Sequence, residues 1–452
     1  MKKNSLFILI VWIGLIESSK SATYSVFSGQ SIQAKIDVAS SGDTVAIFGG
    51  TYTENLTVSK DVRLQLVAGQ TVTLAGNITF SGLINAYTFA NFTWGGQTDK
   101  TITVSNCGNF TINGIKSPAG SIVVTGLNTA AKIFATSLTS GGITVSGGAN
   151  VQGIQSSCTG ITVNGSSTAD FARCTVTGSV GVGSGVKRVS FSRCTVTENL
   201  DSSSELTYVT YSTLRYFRQR NAGKAYIIGC TIREDFDKDG WGNLQGNTVE
   251  VHDSSVVSLM NSSIRDGLDY AGFYSRFDNQ AVWVSSAATI TALNNVIFAY
   301  YGDYTGSRAF RLDGSAKNYI SSNIGYSIQN EFVYGPFANN SVTYNLSQTG
   351  EGGGVLLQNR LNADPAFVDT TDFVLGPTSP ARNAGDPDPR FNDIDGTRND
   401  MGIYGGPFYD PEGRTGSKPV VMQMELDQTQ FLKGDYSTLK LKAVGSATGT
   451  AP

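Results

Sequence analysis

Phe171-Ala172-Arg173-Cys174-Thr175-Val176 and, twenty residues on, Phe191-Ser192-Arg193-Cys194-Thr195-Val196 are two copies of one pattern. An aliphatic or aromatic residue is followed three positions later by Cys, Ser or Asn, and two later by Val, Leu or Ile. The same pattern reads as Phe134/Ser137, Val209/Ser212/Leu214, Ile227/Cys230/Ile232, Leu259/Ser262/Ile264 and Ile320/Asn323. From Cys194 the next two steps, to Ser212 and Cys230, are 18 residues each. A unit this short cannot bury an apolar face alone, but stacked units can, so the period signals a solenoid. Runs such as Thr101-Ile102-Thr103-Val104 and Ile143-Thr144-Val145 are rich in β-formers. Two or three short parallel strands per coil make a right-handed parallel β-helix, an all-β fold.

Composition agrees. The chain of 452 residues exceeds one compact core, whereas a solenoid core grows along one axis. A hydrophobic fraction of 40% against 15% charged excludes a disordered Gly/Ser/Thr-rich chain. The net charge of −3 gives no basic footprint for nucleic acid. Residues 1–21 read as a signal peptide: Lys2 and Lys3, an apolar run from Leu6 to Ile16, then small residues before Ala22. No later segment is long enough to span a membrane, so a secreted or cell-surface location and a monomer are expected. Of the five cysteines, Cys174, Cys194 and Cys230 share the repeat position, which predicts buried residues in an internal ladder, with a disulfide between coils as the alternative.

Ile32, Ile36 and Ala39 fall on one face of a short helix that would cover the first open coil. The sequence Ile32-Gln33…Ile36-Asp37…Gly42-Asp43-Thr44-Val45…Gly50-Thr51-Tyr52-Thr53-Glu54-Asn55 resembles the opening of secreted β-helix proteins of the pectin-lyase-like superfamily. Asn362-Ala363-Asp364-Pro365, Ser379-Pro380-Ala381-Arg382-Asn383-Ala384-Gly385 and Asp395-Gly396-Thr397-Arg398-Asn399-Asp400-Met401-Gly402 are similar to the closing segment of bacterial members. The resemblance implies a β-helix over 22–408 and a polysaccharide partner. Pro411 to Pro419 lies within a linker, 409–419. Residues 420–452 form a tail that resembles the start of an immunoglobulin-like module.

Charge is sparse from 64 to 185 and dense from 197 to 313, where the coil spacing also stretches. The excess sits in two expected loops, 233–250 and 265–283, and loops on a rigid scaffold are where binding concentrates. Trp241, Tyr270, Tyr274 and Trp283 suit stacking on sugars. Arg265, Asp266, Asp269 and Arg276 offer a base and a cation for a lyase acting on a uronate, or a carboxylate pair for a glycoside hydrolase. Asp235, Asp237 and Asp239, before Gly240, resemble the first half of a calcium loop, although the twelfth position is Gly246 rather than Glu. His252, the lone histidine, follows Val249-Glu250-Val251 and reads as a ladder or surface residue. The function pointed to is carbohydrate recognition, with lyase or hydrolase action on an acidic polysaccharide. The alternative is a non-catalytic surface or adhesive protein.

Overall fold

The computed structural model describes residues 21–95, 99–234, 247–267, 280–285, 287–300, 307–314, 316–328, 330–336, 338–348, 358–411, 413, 420–426 and 441–446. The chain winds into a β-helix of parallel strands. One face is a twelve-stranded sheet running from Ala86–Ala90 to Ser341–Thr343. At the amino end, the strands Thr23–Val26, Thr44–Ile47 and Arg63–Leu66 form a separate three-stranded parallel sheet. The remaining coil strands form a 26-stranded sheet with two limbs. Ser137–Leu138 and Thr175–Val176 belong to the first limb, and Ile143–Ser146 and Val180–Val182 to the second.

The short motif is the corner between the faces. Each strand of the twelve-stranded sheet is followed by a residue in the left-handed region, as at Ala135 (φ 46°), Arg173 (φ 55°), Arg193 (φ 52°) and Asn294 (φ 56°). One such residue reverses the pleat and turns the chain. The next backbone N–H then needs an acceptor, and the following coil supplies one from its side chain. Ser212 Oγ accepts from Cys194 N at 3.0 Å, and Ser262 Oγ from Cys230 N at 3.1 Å. Asn295 Oδ1 accepts from Ser262 N, and Asn323 and Asn345 continue the series. Hence the third position wants a small side chain with an acceptor.

The register corrects one repeat. Ile133 stands opposite Gly153 and Phe171, and Thr136 takes the corner position with its N–H on Ser156 Oγ. The pattern expected at Phe134/Ser137 is therefore one residue out of step, because Ala135 is the corner. Phe171 and Phe191 bear out the expected core: both are fully buried and stacked with ring centroids 5.3 Å apart. All five cysteines are buried and unbridged, which resolves the alternatives in favour of the ladder. Burial pushes the Cys158 thiol up to about 12.

The expected helix spans Ile32–Val38 and buries Ile32 and Ile36. Ser31 Oγ caps it by accepting from Ala34 N, and Glu54 takes the N–H groups of Ile32 and Gln33. At the other end, residues 362–411 turn back along the outside of the rod. The outward column Thr175, Thr195, Thr213, Thr231, Ser263 becomes Val296, Ile324, Leu346. On these three apolar residues sits a second core with Phe373, Ala381, Ala384, Met401 and Ile403. Asn261 and Asn294 pin the segment by donating to the carbonyls of Gly405 and Asp400. Beyond it, strands Val420–Leu426 and Leu441–Ser446 pair antiparallel. Among the described residues no helix is long and apolar enough to cross a membrane.

Candidate functional site

The second limb of the large sheet reads as apolar-x-apolar in successive coils: Leu200-Asp201-Ser202, Phe217-Arg218-Gln219, Val249-Glu250-Val251, Val282-Trp283-Val284 and Phe310-Arg311-Leu312. Flanking residues such as Phe217, Val249, Val282 and Phe310 are buried in the rod. The middle residue therefore points out. The register aligns these residues into one column: Asp201, Arg218, Glu250, Trp283, Arg311 and Tyr334. Adjacent members lie ~4.8 Å apart along the rod, the spacing of paired strands.

Glu250 is the hub of this column. Its side chain is 7% exposed, and its carboxylate accepts from Asn247 Nδ2 and His252 Nε2, each at 2.7 Å. Gln280 holds Asn247 in turn, donating to its Oδ1 at 2.6 Å. Burial raises the Glu250 pKa, but the hydrogen bonds from Asn247 and His252 help to outweigh it and keep the carboxyl below its ordinary value. The Tyr216 hydroxyl is pushed well up, by burial first and by the Glu250 charge second, and so stays protonated.

Cations and rings surround the hub. Arg218 bridges Asp201 and approaches Glu250 at 3.8 Å. Arg220 lies 3.7 Å from Asp201. The His252 ring meets Trp283 edge-on, with centroids 4.7 Å apart at 84°. Trp283 Nε1 donates to Asp313 Oδ2 at 2.7 Å, and Arg311 Nε donates to Asp313 Oδ1 at 2.7 Å. Arg308 stacks over Tyr334 at 4.5 Å. The result is a polar and aromatic face that offers ring surfaces, guanidinium donors and an oriented imidazole.

Of the residues singled out from sequence, Trp283 is central to this face. Arg265 is elsewhere: its guanidinium donates to the Thr371 carbonyl and lies 4.6 Å from the Phe373 ring centroid, in contact with the closing segment. Arg233 and Arg265 do stand opposite each other, as their positions in successive coils imply. Asp266 lies in the strand Ser263–Gly267, opposite Glu234. The calcium candidates Asp235, Asp237 and Asp239, together with Trp241, Asp269, Tyr270, Tyr274 and Arg276, fall outside the described residues, as does the expected signal peptide up to Lys20. The strands Thr231–Glu234 and Ser263–Gly267, which precede these residues, pair side by side. Among the described residues, no group of three or more His, Cys, Asp or Glu side chains is gathered for a metal.

No protein-family model matches the chain, and no curated protein matches it in sequence. Among solved structures, the crystal structure of pectate lyase Pel9A is similar at 14% identity. That match covers 85% of this chain and 96% of that chain, with a TM-score of 0.32. The β-helix itself is read from the strand register.

Proposed function

We propose that the chain is a secreted carbohydrate-binding β-helix whose ligand is an acidic polysaccharide lying along the Asp201–Tyr334 column. One observation carries the reading: a ring, a guanidinium and a second ring follow one another at the end of a straight outward column, as Trp283, Arg311 and Tyr334. Flat rings suit the faces of sugars, and Arg pairs with carboxylates in a forked geometry. Arg311 Nε donates to Asp313 Oδ1, which holds the guanidinium on this face.

Isothermal calorimetry with polygalacturonate, alginate and an uncharged glucan tests this. Binding of a uronate polymer that weakens with salt, and no binding of the glucan, is expected. Absence of binding to all three favours a non-catalytic surface or adhesive protein. A calcium site at Asp235, Asp237 and Asp239 is proposed as well, on their alternate spacing before Gly240. Its test is a calcium titration by calorimetry of wild type and Asp237→Ala, in which wild type alone should give heat at millimolar calcium.

A further inference from the structure

We propose that the seam between the rod and its closing segment holds a second binding site, a ring-walled acidic cavity at Gly229 that takes a small organic cation with an alkylammonium head group. The site shares no residue with the outward column and is independent of the acidic-polysaccharide reading.

The cavity follows from the corner rule. Tyr211, Gly229 and Asn261 hold the corner position in three successive coils: Tyr211 N donates to the Ile228 carbonyl, and Gly229 N to the Met260 carbonyl. They repeat at ~4.8 Å along the rod. Tyr211 and Asn261 carry side chains there, and Gly229 (φ 65°) carries none. The Tyr211 ring takes up that room, since a Cβ on Gly229 would stand 2.5 Å from it. Glycine thus lets an aromatic wall form at this corner.

The closing segment supplies the other walls. Asn261 anchors it, with Nδ2 donating to the carbonyls of Ile403 and Gly405. The rings of Tyr404 and Tyr409 stand nearly perpendicular, at 78°, with centroids 5.5 Å apart. The Tyr404 hydroxyl is fixed by donating to the Asp372 carbonyl at 2.7 Å. Phe408, a partly exposed ring, also lines the space. The cavity measures about 200 Å³. Sites for drug-sized ligands run ~300–1,000 Å³, so this one suits a small head group.

Charge decides the class of ligand. Asp372 and Asp410 line the cavity, and among its described lining residues none is basic. Aromatic faces carry negative potential and attract a cation held within ~6 Å of the ring. The Tyr211 hydroxyl senses this acidity: its pKa is pushed up by burial first and by the Asp410 charge second, with Arg193 opposing. Arg193 sits one coil back, where its Nε donates to the Gly413 carbonyl.

One buried atom asks for a donor. Asn261 is 4% exposed, and its Oδ1 has no hydrogen-bond partner although both neighbouring carbonyls are met by its Nδ2. A buried acceptor left unmet is costly. An ammonium N–H meets it, whereas an apolar group or an anion does not. Rings, carboxylates and an amide oxygen together match a cation that carries both carbon and N–H.

The test is calorimetry on the full chain at pH 7, where an alkylamine is protonated. The probes are n-butylammonium, its neutral counterpart n-butanol, and glucose. Heat is expected from millimolar n-butylammonium alone. The same cation should raise the melting temperature, because it binds the folded chain at a seam that unfolding opens. Asp410→Asn and Tyr409→Leu should each weaken binding by ~10-fold, from the lost charge and the lost ring. Melting curves of the two variants without ligand show whether each folds. If either does not, the contrast between n-butylammonium and n-butanol on wild type still decides. No heat from the cation overturns the proposal. So does n-butanol or glucose binding as tightly as the cation, or both folded variants binding it as wild type does.

Discussion

Asn295 donates its side-chain amide to the side-chain carbonyl of Asn323 at 2.9 Å, and Asn323 repeats the bond to Asn345 at 3.0 Å. All three are fully buried. Each amide also satisfies backbone: Asn323 Nδ2 donates to the carbonyls of Ala292 and Ser321, and its Oδ1 accepts from Asn295 N. Asn323→Ala would strip partners from both neighbouring coils at once. A loss of ~3 kcal/mol is expected from the orphaned groups, read as a fall in the urea midpoint. Asn323→Ser should recover part of it, since Ser262 fills the equivalent place two coils earlier.

Phe171→Ala and Phe191→Ala should each cost ~3–5 kcal/mol, because each removes a buried ring from a stacked pair. Gly153→Ala should also destabilise, by ~1–3 kcal/mol, because a Cβ there would stand 2.3 Å from the Phe171 ring. Thermal melts of the three variants check both statements, and a neutral Phe171→Ala would mean the core is wrongly placed. Native-state thiol labelling of Cys174 and Cys194 should be slow for the same reason of burial.

Glu250 makes stability depend on acidity. Its folded pKa lies below the ordinary value of 4.5, so the carboxylate is worth more folded than unfolded. That contribution is present in full above about pH 4.5 and is lost as pH falls through the lower folded value. Wild type should therefore lose stability across that acid window more steeply than Glu250→Gln. Parallel denaturation curves for the two proteins below pH 4.5 would show that the carboxylate is not held as described.

Trp283→Ala and Arg311→Ala test the ligand face. Both side chains point away from the core, so the melting temperature should shift little. Affinity for a uronate polymer should fall by at least ~10-fold, from the lost ring contact and the lost charged hydrogen bonds. Unchanged affinity in both variants, on a polymer the wild type binds, would put the ligand elsewhere on the rod.

Much of the fold is legible in the sequence because the corner imposes a local rule. Phe171, Arg173 and Cys174 are separated by fixed steps whatever the coil length, so Cys194, Ser212 and Cys230 declare themselves. The slip at Phe134/Ser137 shows the limit, since two apolar residues precede Ala135 and only the register tells which points in. The ligand face is harder to see. Asp201, Arg218, Glu250, Trp283 and Arg311 are neighbours across strands, yet connections of unequal length separate them along the chain. Their signal was the outward residue of Val249-Glu250-Val251 and Val282-Trp283-Val284, which becomes visible once strands are aligned on their flanking apolar pairs. His252 reads as a ladder or surface residue because it directly follows the strand Val249–Val251, and no spacing rule distinguishes a solvated pair with Glu250 from an oriented one.

The outward column that changes from threonine to Val296, Ile324 and Leu346 has a consequence for synthesis. These side chains belong to coils completed before residues 362–411 are made, so a nascent rod carries a bare greasy strip until its own end arrives to cover it. A chain terminated early, near residue 360, would keep every coil and still be sticky along that flank. Such a product should precipitate or pair sideways with its copies rather than unfold. Quality control of this protein therefore depends on closing residues 362–411 more than on any single coil.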